Sequence, residues 1–386
     1  MRVAWMLENL LHWNGGVKYV FQVCKRLRER CELDVYVTQS SAENKRLFNE
    51  AGIEVKEFSN VQSGMRRYWL FHPYYIQASR KRLKPVLAEY DVVISNSPGT
   101  NLIAAGLSKK AIFLFFEPNP YIYAPYFIKG LPVFPRYLVR CAYPLIWMYD
   151  MWAMGKADRL LSVTKFAATR GEQIYKRPVK VIYPGIDTEL FTRKQAPALE
   201  AKYSAYKVIL HSATYINPVK GTHFLIKALP KIIVRVPECR VLILNSMRDE
   251  KARANLIDMA SKLNVESHIE FLPFIEEEDL PYYYSLARAV VQPSIYESFR
   301  LSLQEGAACE TPGISFSSGS ADEDIAHGKT GFIVPLGDIG ALANRCIELL
   351  TDSRLRERMG KKGRERVKRM FSWDKNVEAL WQFIRS

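Results

Sequence analysis

Tyr296-Glu297-Ser298-Phe299-Arg300-Leu301-Ser302-Leu303-Gln304-Glu305 begins in a polar turn and ends inside a helix. Upstream, Ala289-Val290-Val291 reads as a short buried strand stopped by Pro293. Downstream, residues 301–310 are rich in Ala and Leu, and Pro312 closes them as it closes many helices. Strand, turn and helix repeated in this order build a parallel, doubly wound sheet. Glu297 then stands in the loop at the helix mouth, and Glu305 about one turn inside the helix. Between them lie the first-turn N–H groups at Phe299, Arg300 and Leu301, positively polarised and able to hold an anion. Two carboxylates that grip hydroxyls, flanking an anion seat, suit a ligand that is part sugar and part phosphate. Taken alone, they also read as a solvated glutamate and a helix-face glutamate.

The flanking sequence adds order to this stretch. Gly313-Ile314-Ser315-Phe316 is a second buried strand, followed by Ser317-Ser318-Gly319-Ser320, Asp322-Glu323-Asp324 and His327-Gly328-Lys329-Thr330-Gly331-Phe332-Ile333-Val334-Pro335. The whole run resembles the C-terminal signature of the retaining glycosyltransferases of family 4, which have the GT-B fold. The resemblance implies two Rossmann-like α/β domains facing a central cleft, with the nucleotide-sugar donor on the C-terminal one. This chain departs from the family pattern in three places. Arg300 and Glu310 stand where the family has Gly, and Gly319-Ser320 replaces a Gly-Gly pair.

A chain of 386 residues has room for roughly two cores. With 48% apolar and 25% charged residues it belongs with globular proteins rather than disordered ones. The six cysteines are scattered, with no close pairs, which argues against a disulfide framework or zinc site and favours a reducing compartment, with a cytoplasmic location expected. The opening apolar run closes at Glu8, so it is expected to be a first strand rather than a signal peptide. Nowhere do ~18 apolar residues run together, so no membrane span is expected. The net charge is +15, and residues 61–180 carry 18 Lys and Arg against 6 Asp and Glu. Such a basic region attracts phosphates, whether of nucleic acid, an anionic membrane or a phosphorylated substrate.

In the first part of the chain, strands are expected at 3–7, 33–37, 91–95, 111–115 and 159–163, with a helix from 17 to about 30. Asn14-Gly15-Gly16 leads from the first strand into that helix. The pair Gly15-Gly16 reads either as a tight turn or as a close approach to phosphate, and the resemblance implies contact with the donor diphosphate. Glu117, at the end of an apolar strand, faces the ligand side of such a sheet or is an ordinary loop carboxylate; the resemblance places a His or an acidic residue near the acceptor here. Asn96 and Ser97 are similar candidates. Residues 63–84 and 121–152 interleave Arg and Lys with Trp, Tyr and Phe. They suit either the headgroup layer on the inner face of the cell membrane or a core with a cationic rim. No nucleic-acid motif accompanies them, so nucleic acid is not an expected partner.

Domains are expected at 1–190, 191–370 and, as a helix crossing back, 371–386. In the second, strands are expected at 207–211, 240–244 and 269–272, with a helix from 224 to about 234. Lys220, before Gly221 at a helix mouth, is a phosphate-binding lysine or a surface one. The family pairs it with an Arg where this chain has Tyr215, which carries no charge. Arg300 then either supplies the missing cation or fills the space left by the family's Gly. Phe274 belongs to a loop that the resemblance places against the nucleotide base. The resemblance further implies that Glu297 holds sugar hydroxyls and Glu305 the ribose. On the same resemblance, Lys220, the Gly16 backbone and the helix mouth are expected to stabilise the leaving diphosphate, with no metal or other cofactor expected. The expected reaction transfers a hexose from a UDP- or GDP-sugar to a lipid-linked or cell-surface glycan. The alternative is a non-catalytic binding subunit of a glycan-assembly complex. A sugar phosphorylase on the same fold lacks its cofactor-lysine signature here.

Overall fold

The computed structural model describes residues 1–58, 66–124, 133–212, 218–244 and 250–386. It divides into two units, Met1–Pro184 with Asp374–Ser386, and Gly185–Trp373.

Among the described residues the first unit holds a seven-stranded parallel sheet. Its strands are β1 (Arg2–Leu10), β2 (Glu32–Ser40), β3 (Glu54–Glu57), β4 (Val92–Ser95), β5 (Ala111–Phe115), β6 (Arg159–Ser162) and β7 (Val179–Val181), in the order β3-β2-β1-β4-β5-β6-β7. The central strands are apolar and buried along nearly their whole length, as a parallel sheet covered on both faces requires. The two edge strands escape a sequence reading because they are short and carry charges, Lys56 and Lys180 among them. The first helix begins at Gly15 rather than 17, because the Asn14 side chain caps it by accepting from Gly16 and Val17 N–H. The final helix, Trp373–Arg385, is tied into this unit. Lys110 Nζ donates to the Ile384 carbonyl at 2.9 Å, and Arg159 donates to that of Phe383 at 3.2 Å.

The second unit holds six parallel strands among the described residues: β8 (Lys207–Ser212), β9 (Cys239–Leu244), β10 (Ile269–Phe271), β11 (Ala289–Gln292), β12 (Gly313–Phe316) and β13 (Gly331–Val334). Their order is β10-β9-β8-β11-β12-β13. Chain direction across the sheet reverses between β8 and β11, the switch point where open α/β sheets bind ligands. The helix after β11 runs Leu301–Ala308, two residues shorter at its end than the sequence suggests. It stops in a Schellman turn, with Thr311 N–H bonded to Gly306 O at 2.8 Å and Glu310 N–H to Ala307 O at 3.0 Å. Glu310 holds the left-handed seat of that turn, at φ +62°, where Gly is the usual occupant. No helix among the described residues is long and apolar enough to cross a membrane.

Candidate functional site

The loops leaving β8 and β11 meet backbone to backbone. Ile295 N–H donates to Val219 O at 2.9 Å, and a Cβ on Gly221 would come within 1.8 Å of Pro293 O. Gly221 also has φ +74°, so neither its conformation nor its space admits a side chain. This contact brings together two residues that stand far apart in sequence. Lys220 Nζ donates to both oxygens of Glu297 at 2.9 Å, and both side chains keep some contact with solvent. Behind them His211, fully buried, bridges β8, β11 and the next helix. Its Nδ1 lies 2.8 Å from Val291 O and its Nε2 2.9 Å from Thr222 Oγ1. A carbonyl only accepts, so Nδ1 carries the proton and Nε2 receives that of Thr222. Burial lowers the His211 pKa to about 4, with Lys220 adding a smaller push, so this histidine is a neutral strut. Sequence reasoning missed it, although a histidine closing a buried strand was the available signal.

A third loop, after β12, locks Glu297 from the other side. Ser320 N–H donates to the Glu297 carbonyl at 3.1 Å, and a Cβ on Gly319 (φ +56°) would sit 1.9 Å from that oxygen. Arg300 resolves into neither of its two expected roles. Its side chain turns inward and is 1% exposed. Nη1 pairs with Asp324 Oδ2 at 3.0 Å, and Nη2 donates to Ser318 O and Oγ at 2.8 and 2.7 Å. The Ser320 hydroxyl and Gln304 amide also donate to Asp324. Even so, burial holds the Asp324 carboxyl up at about 6, against the pull of Arg300 and Ser320. Asp322-Glu323-Asp324 spells the Asp-x-Asp pattern of metal-bridged donors. Its second acid, however, is spent on Arg300.

Phe299, half-buried, stacks edge-on against Phe371 at 5.5 Å, and Leu301 opens the helix behind the Lys220–Glu297 pair. Glu305 is buried, one carboxylate oxygen accepting from the Tyr284 hydroxyl at 2.8 Å. Phe274, in the loop after β10, is 53% exposed, an aromatic face kept in water. Tyr215 lies outside the described residues.

In the first unit, Gly15 has open space around it. Gly16 packs near the Phe116 ring, with its N–H held by Asn14. Glu117 is half-buried in the loop after β5, beside Asn96 and Ser97, where all three line a cavity. Of the aromatic-basic segments, residues 63–65 and 125–132 lie outside the described residues. The described helix Tyr143–Lys156 exposes Tyr143, Leu145, Trp147, Met148, Tyr149 and Trp152. Arg140 and Lys156 stand exposed at its ends. Among the described residues no cluster of His, Cys, Asp and Glu is placed to hold a metal ion.

Residues 13–190 match the family model described as Glycosyltransferase Family 4, and residues 193–366 match Glycosyl transferases group 1, leaving only the termini and the join unmatched. A D-inositol 3-phosphate glycosyltransferase of Kribbella flavida is 29% identical over 244 residues, which take in 60% of this chain and 57% of that protein. An N-acetyl-alpha-D-glucosaminyl L-malate synthase of Bacillus anthracis is 26% identical over 204 residues, 52% of each chain. The chain thus spans about half the length of the curated relatives it matches. Among solved structures, sucrose-phosphate synthase from Thermosynechococcus elongatus superposes with a TM-score of 0.79 at 18% identity, over 100% of this chain and 98% of that one. Anabaena HepE in complex with UDP gives 0.79 at 18% identity over the whole of both chains. At such identities the likeness is one of fold, and it is the GT-B fold.

Proposed function

Since the chain belongs to the group 1 glycosyl transferases of Family 4, we propose that it moves a hexose from a UDP- or GDP-linked donor to a hydroxyl of a lipid-linked or cell-surface glycan, with retention and without a metal. The observation that carries this reading is the Lys220–Glu297 pair at the mouth of the Leu301–Ala308 helix. As the bond from the anomeric carbon to the diphosphate oxygen breaks, negative charge gathers on the leaving group. A lysine and a helix N-terminus fixed in advance are what stabilises it. On donor binding, Lys220 exchanges Glu297 for a phosphate oxygen, which releases the Glu297 carboxylate to accept from the sugar hydroxyls. Glu305, held by Tyr284, accepts from the ribose. The new bond joins the anomeric carbon to the acceptor oxygen, and the acceptor's proton passes to the leaving phosphate. UDP, which Anabaena HepE holds, is the first nucleotide to try. The aromatic face of the Tyr143–Lys156 helix, flanked by Arg140 and Lys156, supports peripheral contact with anionic lipid.

A thermal-shift panel of UDP, GDP, ADP and dTDP with Lys220→Ala alongside tests the donor. A nucleotide at a hundred times its Kd adds roughly 2.7 kcal/mol, a rise of a few degrees. A rise with one diphosphate that shrinks in the variant, together with hydrolysis of the matching nucleotide-sugar, is the expected result. A rise without hydrolysis points to the non-catalytic binding subunit, and no rise with any nucleotide removes the donor site.

A further inference from the structure

The first unit contains a cavity of about 180 Å³ at the carboxyl ends of β4 and β5, lined among others by Asn96, Asn101, Glu117, Asn119, Asp150 and Tyr175. Three of its lining residues are chemically unfinished. Asn96 Oδ1, Asn101 Oδ1 and Asp150 Oδ2 are all buried and have no hydrogen-bond partner within the protein's described residues. They come from three separate elements: the end of β4, the helix Pro98–Ala104, and the helix Tyr143–Lys156. Buried oxygens of this kind are rare, because a carbonyl or carboxylate taken from water needs a donor in return.

Asp150 is the most costly of them. It is 6% exposed, and no ion pair is found for it among the described residues. Its carboxylate is nevertheless held in place. Asn119 Oδ1 accepts from Tyr121 N–H at 3.2 Å, which fixes the amide so that Nδ2 donates to Asp150 Oδ1 at 3.0 Å. Burial pushes the carboxyl up to about 6, more than Asn119 and Tyr175 pull it down. At neutral pH it is a buried anion with no cation paired to it among the described residues. The three open atoms share a sign: each is an oxygen that accepts, although both asparagines also carry a donating amide and the Tyr175 hydroxyl lines the same cavity. A buried carboxylate with two accepting oxygens disfavours phosphate and suits hydroxyls, with Phe115 and Phe116 supplying apolar faces for a ring. The volume is that of about six waters, room for one six-membered polyol.

We propose that this cavity is a subsite for a single hydroxyl-rich ring without a phosphate, read by Asp150, Asn96 and Asn101 as acceptors. The inference rests on the transferase reading, in which the first unit takes the acceptor. It adds that the group seated there is a polyol without phosphate.

Saturation-transfer NMR on the full chain tests it with methyl α-D-glucopyranoside, myo-inositol, glucosamine and glucose 6-phosphate, with the UDP thermal shift run in parallel. At least one of the neutral polyols is expected to bind the wild type. Asp150→Asn, which keeps the shape, and Asn101→Leu are each expected to weaken that binding about tenfold, the loss of one good hydrogen bond. Glucose 6-phosphate binding best would overturn the phosphate-free class, whereas glucosamine binding at least as well as the neutral polyols would support Asp150 as the reader. Equal binding in all three proteins, or a crystal grown at high polyol concentration with only waters in the cavity, would overturn the subsite. Polyol binding that survives while no nucleotide shifts melting sinks the transferase reading and leaves the cavity standing. A UDP shift without polyol binding does the reverse.

Discussion

Two lysine- or arginine-to-carboxylate pairs lie within a few residues of each other, and they could hardly differ more. Lys220–Glu297 joins two loops and is partly open to solvent on both sides. Arg300–Asp324 is closed to water on both sides and braced by Ser318, Ser320 and Gln304. The first has the geometry of a group waiting for a ligand. The second has that of a brace, one that turns a position where the family carries Gly into an anchor for the Glu297 loop. The difference teaches that charge near a binding site is not a guide to its use; burial and commitment are.

The largest effect should come from breaking the brace. Asp324→Ala leaves a buried guanidinium unpaired and is expected to cost about 3–5 kcal/mol in urea unfolding. Arg300→Met with Asp324→Leu should recover most of that loss, because neither charge is then stranded. If the double variant is as weak as the single, the brace reading fails. Next comes the exchangeable pair. Lys220→Ala should lower sugar transfer by about 10²–10³-fold while changing stability by no more than about 1 kcal/mol. A large loss of stability would place Lys220 with the braces.

Asp150 offers a third kind of carboxylate, buried with no cation at all. Its folded pKa, about 6, lies above the ordinary 3.8, so the folded state holds the proton more tightly than the unfolded one. The ionised form therefore costs stability above pH 6, and the cost fades as pH falls toward the ordinary carboxyl range. Asp150→Asn should then stabilise the protein at neutral pH by about 2 kcal/mol, with a gain that shrinks below pH 6. A pH-independent gain would mean that packing, not charge, is responsible. The smallest effect concerns a departure that nothing compensates. Glu310→Gly relieves a left-handed residue and should add up to about 1 kcal/mol in the same unfolding assay. Its ion pair with Arg193, at 3.7 Å and largely in solvent, offsets little of this.

Much of the fold was legible because parallel strands buried on both faces write themselves as apolar runs, and β1, β5, β8 and β12 all do. The edge strands β3 and β7 do not, since an edge tolerates charge. The site was legible wherever one residue's neighbours in sequence decide its place: Lys220 before a glycine at a helix mouth, and Glu297 in the loop before a helix. Arg300 was not, because its meaning depends on Asp324, 24 positions away and hidden in what reads as a solvated acidic run. Asp150 was lost for the opposite reason. In a helix crowded with aromatics and methionines, a single acid looks like a polar face, and only the fold shows that it points inward while the aromatics point out.

The two glycine contacts in the second unit carry a kinetic consequence. At Gly221 and Gly319 the three loops touch main chain to main chain, with the Ile295 and Ser320 amides bonded from one loop to another. Amides pinned in this way exchange with solvent only when the sheet beneath them opens. The Lys220–Glu297 site should therefore share the protection of the strands that bear it. It would unfold with the core as one cooperative block, so that ligand binding tightens the whole second unit rather than closing a flap over it.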